Sequence, residues 1–71
     1  MDRTPVVSSM IGSIGYDPSS GTLEIEFRKG GPIWQYYDVP EYMWHEFESA
    51  ESLGKYFLAN IKNHFREARV G

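Results

Sequence analysis

Seventy-one residues allow one hydrophobic core and leave no room for a second domain. With no cysteine the chain has neither a disulfide staple nor a thiolate zinc site, so its stability margin is expected to be a few kcal/mol. A formal net charge of −3 argues against wrapping nucleic acid by bulk electrostatics, and no apolar run reaches the roughly 20 residues a bilayer span needs.

Residues 6–16 mix β-branched side chains with Ser and Gly and predict a first strand. Gly12 and Gly15 weaken a strand unless they serve a bulge or a close backbone approach. Asp17-Pro18-Ser19-Ser20-Gly21 concentrates turn formers. Thr22 to Arg28 then alternates, with Leu23, Ile25 and Phe27 on one face and Glu24 and Glu26 on a wet face. Lys29-Gly30-Gly31-Pro32 makes the next turn, and Ile33 to Asp38 is rich in β-formers. These segments predict an antiparallel meander of three strands.

Pro40 suits the first position of a helix, with Asp38 or Val39 as its cap and Glu41 complementing the helix dipole. Met43, Trp44, Phe47 and Ala50 recur at helical spacing over about three turns. Ser52 is a good N-cap for a second helix, on which Leu53, Phe57, Leu58, Ile61 and Phe65 form an apolar stripe running to about Arg69. The fold class expected is α+β: a three-stranded antiparallel β-meander followed by two α-helices packed on one face, a single domain over residues 1–71 with its core in about 6–69.

His45 and His64 have no metal-type spacing to other ligands, His64 and Glu67 supplying two at best, and a metal site needs three or four. No Ser lies in a nucleophile-elbow context, and Glu24 and Glu26 face water on a small sheet. Gly54-Lys55 lacks the upstream glycine of a phosphate loop, whose place is taken by Ser49. A non-enzymatic protein is expected, with no catalytic residue, no metal and no cofactor.

Charge is segregated along the chain. Residues 38–51 carry five acidic groups and no Lys or Arg, whereas 52–71 carry four basic groups and one acidic. On the second helix Lys55, Lys62, Arg66 and Arg69 recur at i, i+7, i+11 and i+14, which places them on one stripe opposite the apolar one. Such a stripe is either a solvated face or a set of phosphate contacts. Trp34 and Tyr36 share one face of the third strand and Tyr37 takes the other. Aromatics exposed on a sheet stack bases, but two helices covering the apolar face would make most of these rings core.

The string V-V-S-S-M-I, I-G-Y-D, T-L-E-I-E-F, W-Q-Y-Y-D-V-P, A-E-S-L-G-K-Y-F and N-I-K resembles the KTSC domain from Val6 to Phe65. That family is a short bacterial and phage module, found alone or at the C-terminus of some lysyl-tRNA synthetases, with a central Tyr-x-Tyr motif. The motif falls here on Trp34 and Tyr36, with Trp in place of the first Tyr. The family's Ser-x-Gly-Lys-Tyr-Phe segment corresponds to Ser52, Gly54, Lys55, Tyr56 and Phe57, with Leu58 where Asn is expected; Trp44 stands where Tyr is usual. These departures keep aromatic surface and remove two hydroxyls and an amide that could bond a ligand.

The resemblance implies RNA binding, tRNA-like or single-stranded, through the synthetase fusion. The expectation is therefore a small cytoplasmic binding module that takes RNA on the basic face of the C-terminal helix, through Lys55, Lys62, Arg66 and Arg69, with Tyr56, Trp34 or Tyr36 as stacking groups. The competing expectation is a module that docks a protein partner, or a second copy of itself as a homodimer, through exposed aromatics.

Overall fold

A computed structural model of the chain describes all residues from Met1 to Gly71. Five antiparallel strands form one sheet in sequence order: β1 (Thr4–Pro5), β2 (Ile11–Asp17), β3 (Thr22–Phe27), β4 (Ile33–Tyr36) and β5 (Glu67–Arg69). Helix α1 (Glu41–Glu48) and helix α2 (Leu53–Tyr56), which continues as a single π-helical turn over Phe57–Ile61, lie between β4 and β5. The architecture is α+β, and the meander has two more strands than the sequence predicts.

The three central strands form where alternation and turn chemistry place them. Gly21 has φ 70° and closes the β2–β3 turn, while the Asp17 carboxylate accepts the Ser19 backbone N–H at 3.0 Å and both serine hydroxyls. Strand β2 begins at Ile11, later than expected. The preceding segment is held as a loop because Ser8 Oγ accepts the N–H groups of Met10 and Ile11. The register shifts between Ile11 and Ser13, so the extra residue, Gly12, forms the bulge that turns both Ile11 and Ile14 toward the core.

Ile14, Ile25 and Trp34 align across one face of the sheet, as do Tyr16, Leu23 and Tyr36. Onto this face pack Phe47 from α1, Leu53 from α2 and Phe57 and Ile61 from the π-turn; Phe47 and Ile61 are wholly buried. The Phe57 ring meets Phe27 and Tyr36 edge to face, at 5.2 and 5.6 Å between centroids, the geometry aromatic quadrupoles favour. Tyr16 stacks on Trp44, and its hydroxyl donates to the carbonyl of Val39.

Pro40 is the N-cap of α1 rather than its first residue, and no side chain caps that end, so neither Asp38 nor Val39 has the expected role. Asp38 instead takes a left-handed φ of 59° that turns the chain from β4 into the helix, and Val39 N–H bonds the Gly21 carbonyl at 2.9 Å. Ser52 does cap α2, accepting the Lys55 N–H.

The second helix ends at Ile61 and does not reach Arg69. Lys62 N–H reaches the Phe57 carbonyl, closing the wide π-turn, and Asn63 adopts φ 67°, the left-handed conformation that terminates helices and that Asn tolerates. The chain then returns to the sheet, where Tyr36 pairs Glu67, Gln35 pairs Ala68 and Trp34 pairs Arg69.

Candidate functional site

The helical stripe of four cations is absent because its helix stops early. Lys55 lies on α2, Lys62 follows the π-turn, Arg66 precedes β5 and Arg69 lies on β5, all four exposed. Tyr37 N–H bonds the Arg66 carbonyl, which sets the Arg66 side chain against the end of β4. Its guanidinium lies over the Tyr37 ring, 5.3 Å from the centroid, and reaches the Asp38 carboxylate at 3.4 Å. The Arg66 side chain is 75% exposed and that of Asp38 82%, so the ion pair is fully accessible to competing anions and worth little by itself. Arg69 Nε donates to the Gly71 carbonyl.

The expected stacking residues are mostly occupied. Tyr36 is 3% exposed and belongs to the core, which leaves no ring face for a base; burial and then the Glu67 charge push its phenol up to about 12. Trp34 is half-buried against the same core. The Tyr56 ring lies against Phe47, and its hydroxyl donates to Glu46 Oε1 at 2.7 Å. Tyr37, on the opposite side of β4, carries the cation–π contact. Tyr42 is the most exposed aromatic of α1.

One groove, of about 320 Å³, lies between the loop before β2 and the start of α2. Val7, Ser8, Ser9 and Met10 form one wall, and Glu51 to Lys55 with Leu58 form the other. It therefore joins the Val-Val-Ser-Ser-Met string to the Ser-x-Gly-Lys string, two motifs more than forty residues apart. Val7 is fully exposed and Leu58 half exposed at its rim. The Arg28 side chain holds the loop from behind, donating to the carbonyls of Val6 and Ser8. Gly54 is buried at the groove, but a Cβ there would meet Met10 at an ordinary 3.5 Å, so close packing does not demand glycine.

The face of the sheet turned away from the helices is polar without being wet. Glu24, expected to face water, is 5% exposed and Ser13 6%, because the N-terminal arm crosses over them. Arg3 Nε donates to Ser13 Oγ at 3.0 Å, and its Nη1 donates to Glu24 Oε2 in an ion pair. Gln35 Nε2 donates to the other oxygen of Glu24 at 2.8 Å, and Tyr37 Oη donates to Gln35 Oε1. Ser13 in turn donates to Glu26. Burial works against the Glu24 charge, but the Gln35 and Arg3 hydrogen bonds and the Arg3 charge outweigh it and hold the carboxyl below its usual range. The sequence shows Glu24 and Gln35 on alternating strands but nothing of the arm that covers them.

Residues 7–65 match the KTSC domain family. A protein of Tsukamurella paurometabola is 39% identical over 62 residues, covering 87% of this chain and 91% of its own. An uncharacterised protein of Stutzerimonas stutzeri is 37% identical over 71 residues and 99% of both chains. A lysine–tRNA ligase of Nostoc is 38% identical over 58 residues, which span 82% of this chain and 10% of the ligase. Among solved structures, that of a KTSC domain protein from Yersinia pestis superposes with a TM-score of 0.94 at 47% identity, covering 99% of this chain and 97% of the other.

Proposed function

The chain belongs to the KTSC domain family, and from that premise we propose that it is a non-enzymatic binding module whose ligand is RNA, taken at the end of β4 and the segment leading into β5. The observation that carries the reading is the Arg66 guanidinium lying over Tyr37 on a side chain that is three-quarters exposed. An exposed carboxylate such as Asp38 is readily exchanged for a phosphate, which a guanidinium binds with two parallel hydrogen bonds. Lys62 adds a second exposed cation just before this segment, whereas Arg69, paired with Trp34, projects from the helix-bearing face of the sheet and lies outside the surface. A relative that is part of a lysine–tRNA ligase supports a partner of the tRNA kind. Lys55, at the groove, is outside this surface.

Titration of the labelled protein with tRNA or single-stranded RNA is expected to shift the amides of Tyr37, Lys62 and Arg66. Two phosphate contacts give a slope of log affinity on log salt of about −1.4 for a single strand. Lys62→Glu with Arg66→Glu is expected to abolish the shifts and keep the fold, since both side chains are at the surface. No shift at low salt overturns the reading.

A second reading rests on the groove, where Val7 and Leu58 present apolar surface beside backbone and hydroxyl groups. Such a rim suits a protein partner or a second copy of the chain. Sedimentation at rising concentration, with Leu58→Asp as the control, separates self-association from RNA binding.

A further inference from the structure

The N-terminal arm sits on the sheet as a ligand sits in a receptor. Strand β1 pairs with β2 through two residues only, Thr4 with Ile14 and Pro5 with Ser13, and beyond Thr4 the arm leaves the ladder and crosses the sheet. It crosses at Gly15, where a Cβ would lie 2.3 Å from the Asp2 carbonyl oxygen, so the backbone there is cut away for the arm to pass. Arg3 then enters a slot with a donor-matched floor: the Ser13 hydroxyl takes one nitrogen, and the buried Glu24 carboxylate, oriented from its other oxygen by Gln35, takes another. No buried side-chain polar atom is left unpaired.

One further feature distinguishes this slot from a closed piece of core. The arm's pairing stops short along the strand: Thr4, Pro5 and the Val6 N–H, which bonds the Gly12 carbonyl, cover Gly12 to Ile14, and the end of β2 from Gly15 to Asp17 is left without a ladder partner on that edge.

We propose that the Ser13–Gly15–Glu24–Gln35 slot is a guanidinium-binding site, filled in cis by Arg3, that takes the arginine of an extended peptide segment in trans when the arm is displaced. The incoming segment adds along the outer edge of β2 and places its arginine where Arg3 lies. Main-chain pairing supplies affinity and the buried carboxylate supplies selectivity for a planar fork over an ammonium. The arm is then an autoinhibitory plug whose high effective concentration keeps the site closed to weak ligands.

The test uses the full chain carrying Arg3→Ala and the capped peptide Asp-Arg-Thr-Pro-Val, followed by amide shifts. Saturable shifts are expected at Ser13, Gly15, Glu24 and Gln35, with binding weaker by about tenfold or more when the peptide's arginine is replaced by lysine or by the neutral isostere citrulline. The unsubstituted chain, its slot filled, is expected to bind the same peptide more weakly than the variant. If Arg3→Ala does not fold, Arg3→Lys, which keeps a cation beside Glu24, carries the same titration. Absence of localised shifts at millimolar peptide, or equal binding of the citrulline peptide, overturns the proposal.

Discussion

Tyr36 combines a buried ring with an ionisable group, and the consequence is a dependence of stability on alkaline pH. In an unfolded chain a tyrosine ionises near 10; in the fold burial and Glu67 push Tyr36 up to about 12. A folded value above the unfolded one means that the contribution is complete below pH 10 and is lost as pH rises from 10 through 12, amounting to about 2–3 kcal/mol for the two-unit shift. Tyr56, also pushed up to about 12 by burial and by its bond to Glu46, adds to the same limb from a more open position. Tyr36→Phe keeps the ring against Phe57 and removes the phenol. Denaturant melts between pH 9 and 12 are expected to show the variant losing less stability than the parent chain, with the Tyr56 share remaining. Equal losses would mean that Tyr36 ionises alike in the folded and unfolded chains and that the alkaline limb belongs to other groups.

At the scale of elements, what could be read from the sequence was what local chemistry decides. The alternation of Thr22 to Phe27, the turn residues at Asp17–Gly21 and the Ser52 cap all act over a few residues, and each element formed where those signals stand. Gly12 and Gly15 were legible as a bulge or a close backbone approach, but not which was which or what would approach. Strands β1 and β5 were not legible, because Thr4–Pro5 and Glu67–Arg69 contain few β-formers and exist only by pairing with β2 and β4. The cations of the candidate RNA surface were each identified, but their shared helical face was an extrapolation of the 3.6-residue period past Ile61. Phe65 kept that period and masked the stop at Asn63, the one residue of the segment suited to φ 67°. A β-branched side chain there pays the left-handed penalty of about 1–2 kcal/mol that Asn largely avoids. Asn63→Val is therefore expected to lower the unfolding free energy by about that amount in urea melts, while Asn63→Gly leaves it unchanged or slightly higher. A stable Asn63→Val would place the end of the helix under tertiary control.

For the whole molecule the two faces of the sheet are unequal, and this decides where it is vulnerable. One face carries the ten-residue apolar core under α1, α2 and the π-turn; the other is closed by one arm and a hydrogen-bonded line from Ser13 to Tyr37. Charged networks of that kind confer specificity more than stability, because desolvation offsets much of their attraction. The margin of a domain this small therefore rests on the helical side, at roughly 3–5 kcal/mol. Phe47 is the largest wholly buried side chain and the principal anchor of α1, and truncating a buried Phe to Ala costs about 3–5 kcal/mol, a loss of the same size as the margin itself. Phe47→Ala is expected to be largely unfolded at 25 °C by far-ultraviolet circular dichroism, whereas Arg3→Lys, which loosens only the polar face and keeps a cation beside Glu24, retains a cooperative melt. Were the order reversed, the arm rather than the core would hold the domain together, and a plug that leaves for a peptide could not be part of its design.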